Sequence, residues 1–445
     1  MNRMVCILKS RTNNFSVRVF LFILICFISS EIIINASAET QKVNTPIATI
    51  PLEHYTFAIT HNPINHHIYV TNDDGGSDSG HVTVIDYKTN KIIDDIKVGD
   101  MPSEIVYTPY NNLYMPNIGN ENGSIFVMDA ETNKIKIEIP LDFPPQGLAY
   151  APNVEHLFVG NSNSFDGVFV IDTDTNSVIA KVTTGKNPQA ITYAESNQYL
   201  YVANVGSDSV SVIDSKTNQS IETINSIKHP RGIIYNPDND YVYVASALDN
   251  SVYVIDTHVN RVIEIINVGQ YPATMAYVSL NHSLYVTNIN SNSVSVIDTN
   301  TGKLSQTIPV GKNPHGITYN PINHYVYVTD RASKSISVID TGLENLVLEK
   351  QNTPYSKVPD WIKNNARWWA DGQINDQTFV NGIQFLIKEN IIKVEKSTRK
   401  SDNQEQNIPE WIKNNARWWS QGLIPEDDFL KGIQFLASNG IIKVN

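Results

Sequence analysis

Seven copies of one pattern run through this chain, each closing on an aspartate: Asp86, Asp129, Asp172, Asp214, Asp256, Asp298 and Asp340. Their spacings are 43, 43, 42, 42, 42 and 42 residues. A period this regular is the signature of a repeat architecture, in which each unit buries its faces only against its neighbours. The last copy illustrates the content. His315 to Tyr319 alternates as a first strand, and Asn320-Pro321-Ile322-Asn323 is turn chemistry. Tyr325 to Val328 is β-branched and aromatic, and Ser335 to Asp340 alternates small polar with large apolar residues. In the complete copies a fourth strand follows, such as Lys303 to Val310. Four short strands repeated seven times predict an all-β fold, a seven-bladed β-propeller of four-stranded blades over residues 46–350. The WD-dipeptide version is excluded, because residues 39–360 contain no tryptophan.

Four residues beyond the first six aspartates stand Asn90, Asn133, Asn176, Asn218, Asn260 and Gly302. Asparagine trading with glycine marks a left-handed backbone position, so the aspartates read as Asx-turn formers rather than as a catalytic ring. Asn72, Asn117, Asn161, Asn204 and Asn288, with Ser246 and Asp330 in the other two copies, end the second strand and read as structural caps. The seventh copy has Glu344 at the Asn/Gly position. Ala48-Thr49-Ile50-Pro51-Leu52 matches Gln306-Thr307-Ile308-Pro309-Val310, so the N-terminal strand is expected to complete the last blade and remove its free edge. Leu346-Val347-Leu348 is the rival for that place.

The runs Tyr69-Val70-Thr71-Asn72, Tyr285-Val286-Thr287-Asn288 and Tyr201-Val202-Ala203-Asn204 resemble the YVTN family of β-propeller repeats, known from archaeal surface-layer proteins and related exported bacterial proteins. The resemblance covers about residues 46–350 and implies a seven-bladed propeller outside the cytoplasm. It implies no particular activity, since propellers host many functions.

The N-terminus points to the same compartment. Arg18 precedes the apolar run Val19 to Ile28, and Ala36-Ser37-Ala38 fits a cleavage site, so residues 1–38 read as a signal peptide, with an uncleaved anchor as the alternative. Nothing later is apolar enough to span a bilayer. Both cysteines, Cys6 and Cys26, lie in that segment, so a mature chain has neither disulfides nor a thiolate metal site. Four of the 33 basic and one of the 45 acidic residues lie there too, leaving 29 and 44 and a net charge of −15. That balance disfavours nucleic acid, whose binding rests on phosphate neutralisation, and suits an extracellular, cell-surface protein. Sequons at Asn122, Asn218 and Asn281 are compatible with glycosylation there.

Residues 358–394 and 408–444 are a second duplication, identical at 22 of 37 positions and joined by a polar linker, 395–407. All six tryptophans are here: Trp361, Trp368, Trp369, Trp411, Trp418 and Trp419. Pro359 and Pro409 suit a helix first turn, and Gly372 and Gly422 its end. Trp361, Trp368 and Trp369 read as one helical stripe, and Phe379, Ile383, Leu386 and Ile387 as that of a second helix. Each copy is a helix pair ending in Ile-Ile-Lys-Val, too small for a sizeable core alone. The tryptophans either fill a core or form an attachment surface for a protein partner or envelope component. The segment resembles a tandem module appended to exported archaeal proteins and, more weakly, C-terminal oligomerisation modules; both imply attachment rather than catalysis.

Where the copies differ, chemistry has room. Thr56, Ser103, Gln146, Gln189, Arg231, Ala273 and His315 follow the turn into each first strand, near the predicted axis, with Glu104 beside them. Glu104, Gln146, Gln189, Arg231 and His315 are the candidate ligand-binding residues of a central mouth. A propeller metalloenzyme needs several converging carboxylates, His or Asn, which this set does not obviously supply. In the loop 72–80, Asp73, Asp74 and Asp78 are candidates for a hard cation, calcium, although the spacing does not match an EF-hand. No other cofactor is expected. His66, His67, His156, His282 and His324 fall in separate blades, too far apart to share a metal. The sequence reads as an exported, non-catalytic binding or structural propeller attached through its helical pair. A metal-dependent lyase or hydrolase at the mouth is the alternative.

Overall fold

The structure, a computed structural model, describes residues 44–343 apart from 63–64, 76–78, 109–111, 120–121 and 162–165, and residues 360–438 apart from 371, 373, 389–407, 409 and 421–425. The expected signal peptide, the Leu346–Leu348 rival, the linker 395–407 and both Ile-Ile-Lys-Val tails lie outside the described residues. The chain divides into two compact units, 1–342 and 343–445.

The first unit is seven four-stranded antiparallel sheets. Blade 1 holds β2 (Tyr55–His61), β3 (Ile68–Asp73), β4 (Gly80–Asp86) and β5 (Lys91–Lys97), and blade 2 holds β6 (Val106–Thr108), β7 (Asn112–Asn117), β8 (Ser124–Asp129) and β9 (Lys134–Pro140). Blades 3 to 6 follow over 145–183, 188–225, 230–267 and 272–309 (β10 to β25). Blade 7 is β26 (Pro314–Asn320), β27 (Tyr325–Asp330) and β28 (Ser335–Asp340), completed by β1 (Thr45–Pro51) in the order β1-β28-β27-β26. Register runs from Thr45 opposite Asp340 to Pro51 opposite Ser335. The N-terminal strand therefore closes the last blade, and β2 packs against β26 to complete the ring.

The apolar core lies between blades rather than within them. Tyr114, Ile125 and Val127 of blade 2 bury against Leu148, Leu157 and Phe169 of blade 3. Tyr327, Ile336 and Val338 of blade 7 bury against Ile59, Ile68 and Val70 of blade 1. Second and third strands are covered on both faces, and Ser209 to Ile213 is buried throughout. Alternation there matches a small face to a large one rather than water to core.

All seven repeat aspartates form Asx turns, with Asp86 accepting from Thr89 N–H at 2.8 Å and Asp340 from Gly342 N–H at 2.8 Å. The Asn/Gly positions all have positive φ, from 51° at Asn260 to 65° at Gly302. These asparagines also tie blades together. The Tyr69 hydroxyl donates to Asn133 Oδ1 at 2.7 Å, Tyr201 to Asn260 at 2.6 Å and Tyr327 to Asn90 at 2.8 Å. Tyr285 reaches Asn44 Oδ1 at 2.5 Å. Asn44, at φ 57° just before β1, thus supplies the turn asparagine that the seventh copy lacks at Glu344.

The second unit contains α1 (Asp360–Ala370), α2 (Asp376–Lys388), α3 (Glu410–Ser420) and α4 (Glu426–Ser438). Asn375 caps α2 by accepting from Thr378 N–H at 2.9 Å, and Gly372, at φ 77°, lies just past the end of α1. The two copies share one core: Ile362, Ala366, Trp369, Phe379 and Ile383 pack with Ile412, Ala416, Trp419, Phe429 and Ile433. Trp369 stacks on Phe379 at 3.8 Å and Trp419 on Phe429 at 4.0 Å. The expected single tryptophan stripe is corrected. Neighbours on a helix diverge by about 100°, and Trp368 is 45% exposed while Trp369 is 1%. Gly422 and the side chains of Trp361, Leu386, Trp411 and Trp418 lie outside the described residues. No helix among the described residues is long and apolar enough to cross a membrane.

Candidate functional site

Each first strand carries one extra residue near its start. Pro188 pairs with Asn204 and Ala190 with Ala203, leaving Gln189 unpaired; Arg231 is left out in the same way between Pro230 and Gly232. In blade 7 the register slips between Pro314 and Ile317, at His315, and in blade 3 between Pro145 and Leu148, at Gln146. A bulge re-aims a side chain out of the ladder, and here the bulged residues face the axis. Glu104, Gln146, Gln189, Arg231 and His315 all line one central cavity of about 280 Å³, with Ser103 and Ala273. Apolar side chains, among them Ile59, Ile105, Ile118, Ile233 and Ile317, complete the lining.

In blade 1 the register corrects the expected position by one. Thr56 pairs with Asn72 and is buried, so Phe57 is the residue that lines the cavity. Blade 2 is irregular because Pro116 in β7 has no N–H to donate, and β6 begins only at Val106. Pro102 keeps its bridge to Asn117, which makes Ser103 the counterpart of Gln146 and Glu104 the counterpart of Gly147. That place belongs to small residues: a Cβ on Gly147 would stand 2.4 Å from the Gln189 carbonyl, and one on Gly316 2.6 Å from that of Phe57. Glu104 fits because its Oε2 accepts the Leu148 N–H of the next blade at 2.6 Å.

Burial raises the Glu104 carboxyl to about 8, although the Leu148 N–H opposes the shift, so at neutral pH it is mostly protonated. Burial, then the Arg231 and Arg331 cations, lower His315 to about 3, which keeps its imidazole neutral. His315 Nε2 faces an Arg231 guanidinium nitrogen at 3.4 Å. Arg331 stacks on Phe57 at 4.1 Å, and Phe57 meets His315 edge-on at 5.7 Å. The cavity lining therefore carries one fixed positive charge, a neutral acid, a neutral imidazole and two amides among apolar side chains. Such a lining suits a small ligand with an anionic or strongly accepting end. Phe57 was not legible as a site residue, since it becomes visible only through the bulge register, and Arg331, which stacks on it without lining the cavity, lies outside the turn pattern.

The remaining candidates are dispersed. Asp73 is buried and accepts from Gly75 N–H at 3.1 Å and the Ser79 hydroxyl at 2.5 Å, closing its own loop. Asp74 points instead to His54 at 2.7 Å and Lys334 at 3.5 Å, and Asp78 lies outside the described residues. Asp73 and Asp74 therefore do not converge on one cation. His66, His282 and His324 hold left-handed turn positions at φ 63°, 50° and 57°, and His67 and His156 adjoin equivalent turns. Of the sequons, Asn122 is exposed, Asn218 holds the αL turn and Asn281 ends a short 3-10 turn. Trp369 and Trp419 fill the helical core, which leaves Trp368 as the tryptophan open to a partner among those whose side chains are described.

Two β-propeller families match parts of the chain: a YNCE-like β-propeller over residues 145–261 and the seven-bladed lactonase β-propeller over residues 228–363. The chain is a seven-bladed β-propeller. Among solved structures, the propeller is similar to Kuenenia stuttgartiensis hydrazine synthase, at 21% identity and TM-score 0.57 over 69% of this chain and 99% of that one. It is similar to streptogramin B lyase at 15% identity and TM-score 0.54, over 66% and 96% of the two chains. At these identities the likeness is one of fold. No curated protein matches the sequence.

Proposed function

We propose that this is an exported, cell-surface propeller that acts as a non-catalytic binding module, taking a small anionic ligand at its central mouth and attaching to envelope or partner chains through its helical pair. The observation that carries the first part is the charge state of the cavity. With Glu104 protonated and His315 neutral, Arg231 is the charged lining group, inside a chain whose net charge is −12. A guanidinium lining a cavity favours bidentate recognition of a carboxylate or phosphate. Support for export comes from the N-terminal apolar run and the cysteine-free remainder of the sequence. Calorimetric titration with small carboxylates and phosphates tests the mouth: Arg231→Ala should weaken the best binder at least tenfold. Equal binding by parent and variant would end this reading. Attachment is tested by comparing residues 39–445 with 39–350 for binding to envelope preparations. The shorter chain should fail to bind.

A metal-dependent hydrolase or lyase at the same mouth is the second reading, favoured by the lactonase-family match that spans Arg231 and His315. The donor set does not fit it well. The mouth offers one carboxylate, held by the Leu148 N–H, and one imidazole whose Nε2 faces a guanidinium that would repel a metal ion. Lactone hydrolysis dependent on added divalent metal and lost in Glu104→Gln would favour this reading over the first.

A further inference from the structure

Blade 1 carries a group of side chains that the scaffold does not require. Ligand atoms of His54, His81 and Asp95 all lie within 4.8 Å of one another. His54 sits on the link between β1 and β2, His81 at the start of β4 and Asp95 on β5. His81 Nδ1 is 2.8 Å from Asp95 Oδ2, and His54 Nε2 is 3.8 Å from the same oxygen. The two imidazoles stack, with centroids 4.3 Å apart and planes 16° from parallel. At the register of His81, blades 4 to 7 have Ser209, Ser251, Ser293 and Ser335. At the register of Asp95 stand Thr223, Ile265, Thr307 and Thr49. Those four blades are thus built without this group.

We propose that His54, His81 and Asp95 bind a divalent transition metal of the zinc class, with Asp74 orienting His54. Two imidazoles and a carboxylate are a zinc-type donor set, and water completes four-coordination. Bringing these atoms to about 2.0–2.2 Å from one ion needs shifts on the order of 1 Å, within the reach of partly exposed side chains. The surrounding contacts are those of a ligating site. Asp74 Oδ2 is 2.7 Å from His54 Nδ1, which fixes the proton there and leaves Nε2, the nitrogen nearer Asp95, as the lone pair. Thr83 Oγ1 donates to Asp95 Oδ1 at 2.7 Å, so a metal would take the place of the proton that His81 Nδ1 shares with Asp95 Oδ2. Imidazole donors select zinc, nickel or copper over calcium. The site's position gives the ion a structural consequence. His54 follows the closing strand, and Lys334 of blade 7 holds the neighbouring Glu53 carbonyl at 2.9 Å. A bound metal ties that link to the outer strands of blade 1, next to the ring closure.

The test is zinc titration of the purified full-length chain, followed by calorimetry and thermal unfolding. Zinc should raise the melting temperature through binding to the folded state, while calcium at the same concentration should not. His81→Ser and Asp95→Thr place in blade 1 what other blades carry at these positions, so both should fold. Each should lose one zinc equivalent and the thermal gain. Asp74→Asn should keep the site but bind 10–100-fold more weakly. Cobalt in place of zinc should give d–d bands without thiolate charge transfer, which separates this site from Cys6 and Cys26. Zinc that leaves the parent's melting temperature unchanged, or stabilises His81→Ser equally, overturns the proposal.

Discussion

At the residue scale, the informative positions are those where one copy departs from the rest. Asn204 and Asn288, ending their second strands, donate to paired serines, at 2.9 Å to Ser211 and 3.0 Å to Ser295. In blade 7 the same place holds Asp330, fully buried, which accepts from Ser337 at 2.7 Å. Burial lifts its carboxyl to about 6 from an ordinary value of 3.8. Between about pH 4 and 6 the folded chain therefore holds a proton that the unfolded chain has lost, so stability falls as pH rises through that window. Asp330→Asn restores the amide that five other blades carry. It should stabilise the propeller by about 1–3 kcal/mol at pH 7 and by much less at pH 4, read from urea midpoints; an asparagine variant less stable at pH 7 would refute the argument. The same sign applies to Glu104 in ligand binding. As pH rises through about 8 its ionisation adds a negative charge to the mouth, so an anionic ligand should bind more weakly, and Glu104→Gln should flatten that profile. The sequence put Glu104, Gln146, Gln189, Arg231 and His315 at one mouth because the repeat sets their register. It could not reveal Phe57, because the bulge decides which residue leaves the ladder. The group of His54, His81 and Asp95 had a signal only in the loss of the serine that opens five of the other third strands.

Elements were legible where local chemistry and the repeat agreed. The Asx turns, the left-handed asparagines and the closing strand β1 all follow from short-range patterns that tolerate few alternatives. What the pattern could not give was the tertiary use of those turns, in which a tyrosine of one blade reaches the turn asparagine of the next. Three blades depart from this: blade 5's Tyr243 has only Gly302 at that place, blade 2 keeps Tyr114 yet leaves the Asn176 carbonyl buried without a partner, and in blade 3 Phe158 stands where the tyrosine does, with the Asn218 carbonyl likewise unpartnered. Phe158→Tyr should supply the missing donor and stabilise the propeller by about 0.5–1.5 kcal/mol. Crowding at the hydroxyl, seen as a loss of stability, would show that blades 3 and 4 are spaced differently from the others. At the closure, Asn44→Ala strands the Tyr285 hydroxyl and should cost about 1–3 kcal/mol. A cycle with Tyr285→Phe should show that most of this cost is shared between the two residues. The three-residue β6 went unread for a different reason: Pro116 acts on the strand beside it, not on its own.

At the scale of the whole molecule, the chain is two solutions to the same problem of burial. The propeller wedges apolar faces between blades and closes its ring with β1, whereas the helical unit joins two copies into one core around Trp369 and Trp419. The sequence divides its reporters along the same line, since every tryptophan follows residue 360 and the propeller has none. Tryptophan emission therefore reads the helical unit alone, and the far-ultraviolet strand signal reads mostly the propeller. Each unit has its own core, and the helical one is small, so it is expected to lose structure at lower denaturant. Guanidinium unfolding followed by both signals should give two separate midpoints, with the tryptophan transition first. Ending the chain at Lys350 should remove that transition and leave the strand midpoint unmoved. Coincident midpoints in the full chain, or a strand midpoint that falls when the helices are removed, would mean that the propeller draws stability from the tail, and the tail could not then be an independent attachment module.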